Sequence, residues 1–260
     1  DHDNACNVGA RCYHLPQKMS DRIFEISGRG LDTTDAEMRA LMNNMVNADT
    51  PGYKKTNPLI RSFPSYFLDA MNPRSAVGGA AEAPQVTGFA IDQTKGFLKA
   101  TKNPLDVALS GEGFFAVESP SGDVLLTRDG RFQLDREGQL RTMSGNYPVL
   151  GRSGPIRILP GTSLTIAANG DVISGTEKID TLRVVAVDHP ESLQTLGGSF
   201  FQVSAERATA FQEVEAPRVI QGYLEASNVE IVDQIMRMVF VNRLYNGNTR
   251  VIQTREQMLT

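Results

Sequence analysis

From Ser20 to Thr50 apolar side chains recur with a helical period: Phe24, Leu31, Met38 and Met45 hold one seven-residue repeat, and Leu41 and Met42 widen the stripe. Pro51-Gly52 then stops the pattern. Gly28 and Gly30 weaken the early turns by roughly 1 kcal/mol each relative to alanine. Thr34 and Glu37 stand in capping-box spacing, so the firm helix is expected from near Thr34, with fraying before it. A second helix is predicted at the other end, where Ser227 and Glu230 form a capping box ahead of an apolar run. Ile231, Met238, Tyr245, Ile252 and Leu259 occupy one heptad position without a miss, supported by Ile235 and by Leu244, Val251 and Met258. Continuous to Leu259, that helix is about 45 Å long, too long to cap a small β domain.

Between the two ends the period changes. Residues 56–86 read as an irregular linker or extended arm, with Pro58, Pro64, Pro73 and Pro84 and the small-residue cluster Ala76 to Ala83. From about 87 to 222 the chain reads as short strands: Phe114 to Val117, Val124 to Leu126, Arg131 to Leu134, Leu164 to Ile166 and Leu182 to Val187. Ser121-Gly122-Asp123, Asp129-Gly130, Glu137-Gly138 and Asn169-Gly170 separate them, and at least two of these pairs are expected as tight hairpin turns. The predicted fold is α+β: N- and C-terminal helices pairing as a coiled-coil-like module, with a central antiparallel β-rich domain. Its divisions are an extension at 1–18, a helical segment at 19–55, the arm at 56–86, the β domain at 87–222 and the C-terminal helix at 223–260.

Two stripes of equal period at opposite ends favour pairing of the ends, with the body as an insertion. Burying each large apolar side chain is worth on the order of 1.5 to 3 kcal/mol, so something must cover the stripes. A pair of helices covers one face of each; a bundle of many molecules covers more. The expected assembly interface is Phe24, Leu31, Met38, Leu41, Met45, Ile231, Ile235, Met238, Tyr245, Ile252 and Leu259, with Asn47, Pro51 and Gly52 fixing the exit from the first helix. The alternative is an ordinary helical hairpin packed on the sheet.

Composition narrows the field. At 260 residues, 40% hydrophobic and 22% charged, the chain has material for one sizeable core and a second small one. Its formal charge of −4 gives no bulk attraction to nucleic acid or an anionic membrane surface. It has no run of roughly 18 to 20 apolar residues of the kind that crosses a membrane, and no apolar segment in residues 1–18 that would serve as a secretory signal. Cys6, Cys12, His2 and His14 lie in that extension, and their spacing does not match the usual zinc patterns.

Enzyme motifs fail on inspection. Gly111, Gly113 and Ala116 imitate a dinucleotide-binding turn, but that turn must open a helix, and Phe114 to Val117 reads as a strand. Ser110 has Ala108 where a nucleophile elbow needs glycine. His189 precedes Pro190 in a turn, and Asp106, Glu112, Asp129 and Asp135 are spread over turns where carboxylates satisfy backbone amides. No catalytic residue, cofactor or metal site is expected.

Several motifs, in order, carry a resemblance. Asn43-Asn44-Met45-Val46-Asn47-Ala48-Asp49-Thr50-Pro51-Gly52-Tyr53-Lys54 resembles the segment that ends the N-terminal helix of flagellar rod and hook proteins. Ser227-Asn228-Val229, Asn242-Arg243-Leu244-Tyr245 and Val251-Ile252-Gln253-Thr254 resemble their C-terminal counterpart. Asn103 to Ala108, Gly111 to Val117, Thr127-Arg128-Asp129-Gly130 and Gly138-Gln139-Leu140 are similar to the family's β domain. Within the family, Val149 to Ile156 followed by Asn169-Gly170-Asp171-Val172 looks most like the proximal-rod FlgF type, with the distal-rod FlgG type next.

The resemblance implies a periplasmic subunit exported unfolded through the flagellar type III apparatus without a cleavable signal. It would polymerise helically with its own copies and other rod and hook subunits into the torque-bearing shaft, with no nucleic acid and no membrane insertion. The family usually has Gln at Asn242 and small residues at Leu244 and Gly247; a mid-helix Gly247 costs roughly 1 kcal/mol and permits a bend. A hook-type axial subunit, a wall-cutting hydrolase and a monomeric binding module are the other readings.

Overall fold

In the computed structural model the described residues are 17–61, 84–158, 162–187, 193–203 and 211–259. The Cys6 and Cys12 extension, His189 and most of the arm lie outside them, as do the side chains of Phe24, Met258 and Leu259. Helix α1 (Gln17–Val46) opens the described chain and helix α2 (Ile231–Leu259) closes it. After α1, β1 (Thr56–Arg61) and β2 (Gln85–Ile91) pair as a two-stranded ribbon. The next strands are short: β3 (Leu98–Ala100), β4 (Val107–Leu109), β5 (Phe114–Glu118), β6 (Val124–Thr127), β7 (Phe132–Leu134) and β8 (Leu140–Thr142). There follow β9 (Leu164–Ile166), β10 (Asp171–Ser174), β11 (Glu177–Thr181), β12 (Val184–Val187) and β13 (Leu193–Gly197). The last are β14 (Phe200–Val203), β15 (Phe211–Glu213), β16 (Val219–Gln221) and β17 (Tyr223–Glu225).

The chain divides into two compact units: residues 1–36 with 60–86 and 241–260, and residues 37–59 with 87–240. The larger unit is built on a six-stranded sheet, in the order β13-β14-β6-β5-β12-β15. Its central strand β5 does not alternate apolar with polar because both faces are covered. Phe115 and Val117 join Leu125, Phe132, Leu140 and Val149 in one core. Phe114 and Ala116 join Ile91, Leu126, Leu193 and Phe201 in the other. Edge-to-face ring pairs stitch each side, Phe115 on Phe132 at 5.3 Å and Phe114 on Phe201 at 5.5 Å. Three expected turns form hairpins. Gly122 (φ 88°), Gly138 (φ 75°) and Gly170 (φ 86°) supply the positive φ between β5 and β6, β7 and β8, and β9 and β10.

Four local expectations change. Asp129-Gly130 is not a hairpin turn; Gly130 lets the chain run against Val107, whose carbonyl oxygen would lie 1.6 Å from any Cβ. The ends of the segment read as irregular are strands β1 and β2, and Pro58 is tolerated because a two-stranded ribbon leaves one edge of each strand unpaired. In the smaller unit α1 is helical from Gln17, not from Thr34: the Thr34 hydroxyl donates back to the carbonyls of Gly30 and Leu31, an interior arrangement. In the larger unit α2 starts at Ile231, not at Ser227. Its first helical bond is Gln234 N–H to Glu230 O, and the Ser227 hydroxyl accepts from Val229 N–H, not from Glu230 N–H, among the described residues. Strand β17 occupies residues up to Glu225, and the body claims Asn228, which delays the helix.

Candidate functional site

The larger unit holds the point where the chain leaves α1 and where it enters α2. The Asn47 amide donates to the Asn43 carbonyl, and the Asn47 backbone carbonyl accepts from Thr50 N–H. Thr50 to Tyr53 then form a turn with Pro51 and Gly52 at its centre, closed by Tyr53 N–H to Thr50 O. Gly52 has φ 69°, as a type II turn requires at that place. A Cβ there would lie 2.2 Å from the Arg128 carbonyl carbon. The backbone of Gly52 instead donates to the Glu225 carbonyl at 2.8 Å.

Beneath the turn are two buried polar clusters. Asn44, fully buried, donates to Thr56 O at 2.9 Å and Gln234 Oε1 at 3.3 Å, and accepts from Tyr53 OH and Thr56 N–H. Donors and acceptors of the amide are thus satisfied, and α1, the exit turn and α2 meet on one side chain. Burial raises the Tyr53 phenol above its usual range. The second cluster is ionic. Glu225, on β17, is 2% exposed; its carboxylate accepts from Lys54 Nζ at 2.6 Å, Gly96 N–H at 3.0 Å and Arg128 Nη1 at 3.1 Å. Lys54 also donates to Thr94 O, and Arg128 to Gly111 O with its guanidinium 5.4 Å from the Phe114 ring centre. Burial holds both cations below their ordinary pKa, with Glu225 opposing the shift in each. A third anchor is Asn228, three residues before α2. It accepts from Lys55 N–H at 2.7 Å and donates to Asp92 O and Thr94 O.

The expected interface residues do not all lie on the side that the helices bury. On α1 Leu41 is buried, while Leu31, Met38 and Met45 are half-buried. The buried row is small or polar: Ser27, Thr33 and Thr34 in the smaller unit, and Ala40, Leu41 and Asn44 in the larger. On α2 the larger unit buries Gln234 and the smaller buries Val241; Met238 and Ile252 are half-buried. Among the described residues of α2 nine large apolar side chains are exposed: Ile231, Val232, Ile235, Met236, Val239 and Phe240 in the larger unit, and Leu244, Tyr245 and Val251 in the smaller. In the smaller unit Gly30 lies so close to Asn248 that a Cβ would sit 2.9 Å from its Nδ2. Among the described residues there is no group of three or more His, Cys, Asp and Glu side chains placed to hold a metal, and no helix is long and apolar enough to cross a membrane.

Comparison with known proteins gives these features a context. Residues 108–174 match the family model of the flagellar hook protein FlgE/F/G D1 domain, and residues 220–260 match that of the flagellar basal body rod FlgEFG protein C-terminal. The flagellar basal-body rod protein FlgF of Escherichia coli is 31% identical over 248 residues, covering 91% of this chain and 94% of the relative. The chain belongs to the flagellar basal-body rod protein family of the FlgF and FlgG type. Rod protein FlgG of Buchnera aphidicola from Schizaphis graminum is 30% identical over 254 residues, 90% of this chain and 95% of the relative. FlgG of Bacillus subtilis is 25% identical over 248 residues, 88% and 93%. The rod family is structural, its members build the flagellar basal body, and this rod protein is a structural subunit. The two matched regions hold Arg128, Glu225, Asn228 and Gln234, the body and α2 partners of the junction.

Proposed function

We propose that this chain is a proximal-rod subunit that polymerises helically with its own copies and other rod and hook subunits, and transmits torque without catalysing a reaction. The observation that carries the reading is the inversion on α2. A helix serving one globule turns its apolar face inward; among its described residues α2 buries Gln234 and Val241 and exposes nine large apolar side chains. Neighbouring molecules are the natural cover for such a surface. The two helices pair antiparallel in a coiled-coil-like seam. Two contacts support this: Asn44 meets Gln234 in the larger unit and Gly30 meets Asn248 in the smaller, with equal spacing along each helix and in opposite directions. The junction of Asn44, Glu225 and Asn228 ties that seam to the β body. The working divisions are the extension, the helical ends, the arm and the β domain given above, and the chain reaches the periplasmic rod through the flagellar export apparatus.

Tyr245→Asp or Ile252→Asp is expected to leave the β body folded and to block incorporation into rods, since Tyr245 is 41% exposed. Normal incorporation of either variant would end the polymer reading of that helix. A distal position is the second reading, favoured by FlgG relatives as similar as the FlgF ones. Imaging basal bodies from cells lacking this chain, and noting which axial segment is missing, separates the two.

A further inference from the structure

Within the larger unit, the buried residue of α2 between Ile231 and Phe240 is Gln234, 1% exposed. At about 100° per residue, its helical neighbours fall into two faces. On one side Met238 lies about 40° from it, Ile231 about 60°, Ile235 about 100° and Val239 about 140°, and Met236 and Phe240 carry the apolar arc round the far side. On the other side Arg237 lies about 60° away and Asp233 about 100°. Asp233 Oδ2 accepts from Gln234 Nε2 at 3.2 Å and pairs with Arg237 Nε at 3.3 Å. The inward direction therefore falls on the border between the two faces, and the middle of the apolar arc points away from the body. Apolar burial alone would turn these three turns by about 40–60° and bring Met238 and Ile231 to the place that Gln234 occupies.

A hydrogen bond opposes that turn. Gln234 Oε1 accepts from Asn44 Nδ2 at 3.3 Å, and Asn44 is itself fixed by Tyr53 and by both backbone groups of Thr56. Turning α2 breaks the bond and leaves an N–H of the fully buried Asn44 without this acceptor. An unpartnered buried amide loses the whole of its hydration, a loss on the same scale as the gain from burying one large aliphatic side chain completely. Ile231 has only 44% of its surface left to bury, and Met238 is already half-buried. The bond wins because the gain it opposes is partial. We infer that the Asn44–Gln234 pair is the rotational key of α2: it holds the first three turns of the helix with their apolar arc outward, against the pull of that arc toward the body. Gln234 is thus a positioning residue. The inference goes beyond the polymer reading and does not depend on it, since it concerns the free chain before any neighbour arrives.

The test uses the full-length chain with Cys6→Ser and Cys12→Ser, which removes both native cysteines. One probe is added at a time, Ile235→Cys at a position 50% exposed or Arg237→Cys at one whose side chain is 54% exposed. Iodoacetamide alkylation at low protein concentration is measured for each and divided by the rate of the same chain in unfolding urea. The proposed turn carries Ile235 inward and Arg237 outward, so the quantity read is the ratio of the first rate to the second. Gln234→Asn keeps the amide but is one methylene too short to reach Asn44, and Gln234→Ala removes the amide altogether. Each is expected to slow Ile235→Cys and speed Arg237→Cys, lowering the ratio about tenfold, with the far-ultraviolet circular dichroism of a folded chain. Adding Ile231→Ser and Met238→Ser to Gln234→Ala takes away the pull and is expected to return the ratio to within about twofold of the parent. An unchanged ratio in both Gln234 variants, a joint rise of the two rates, or no recovery in the triple variant would overturn the key. None of these outcomes bears on incorporation of Tyr245→Asp, so the polymer reading stands or falls separately.

Discussion

Replacing Glu225 by glutamine keeps the side chain's shape and removes the carboxylate shared by Lys54 and Arg128. Lys54 and Glu225 are each 1% exposed in their side chains and Arg128 6%, so neither cation can turn to water once the anion is gone. Breaking a buried ion pair in this way costs about 3–5 kcal/mol, most of it from the uncompensated charge left behind. For a domain of this size that lowers Tm by roughly 6–20 °C. The companion variant is Lys54→Met, which leaves the Glu225–Arg128 pair intact at 3.1 Å and removes a cation already disfavoured by burial. Thr94 O keeps Asn228 Nδ2 as a donor at 3.1 Å after Lys54 is lost. Lys54→Met should therefore cost only about 1–2 kcal/mol. The chain has no tryptophan and six tyrosines, and urea unfolding can be followed by tyrosine fluorescence, to which Tyr53, Tyr147 and Tyr223 contribute from the larger unit, together with far-ultraviolet circular dichroism of the whole chain. The reasoning fails if Glu225→Gln lies within about 1 kcal/mol of the parent, or if Lys54→Met costs more than Glu225→Gln.

Gly52→Ala is expected to destabilise by more than about 2 kcal/mol, through a positive φ and a Cβ driven into the Arg128 backbone, and a stability within about 0.5 kcal/mol of the parent would refute the close approach. Lys54 titrates below the ordinary lysine value of 10.5, so the folded chain binds fewer protons than the unfolded one between those two values. Stability should rise with pH across that window, and the rise should vanish in Lys54→Met; comparing the two proteins also cancels the opposite pull of Tyr53 above pH 10.0. Lys178 and Thr181 hold the Asp171 carboxyl down at about 2 against an ordinary 3.8. Its contribution is present above the ordinary value and lost as pH falls toward 2, so acid titration of Asp171→Asn should show a flatter loss of stability there, with carbon-detected NMR of Asp171 as the direct check.

The helices, the glycine hairpins and the Pro51-Gly52 exit were legible because each is a local pattern. The row that each helix buries was not. On α1 it reads Ser27 and Thr34 in the smaller unit and Leu41 in the larger, and on α2 Gln234 in the larger and Val241 in the smaller, so the strict apolar repeats fall mostly on neighbouring, more exposed rows. The same inversion explains why Ile231, Ile235 and Tyr245 are exposed. Glu225 and its partners escaped for a different reason. Lys54 lies 171 positions from Glu225 and Arg128 lies 97 away, and no period or spacing links charges so far apart. Asn44, Lys54 and Arg128 lie inside the motifs that carry the family resemblance, yet nothing local distinguishes a buried lysine after a turn from a solvated one. The capping box at Ser227 misled because Asn228 had a stronger use: three backbone partners in the body outbid the first turn of a helix.

That use of Asn228 has a mechanical side. A helix that begins on its own cap can fray at its root by rotating one side chain. α2 instead begins three residues after an amide held by the peptide groups of Lys55, Asp92 and Thr94. A twist applied to the helix therefore meets, through one side chain, the main chain of three separate residues of the body. The root of α2 is cross-braced, and freeing Asn228 breaks all three of these hydrogen bonds together.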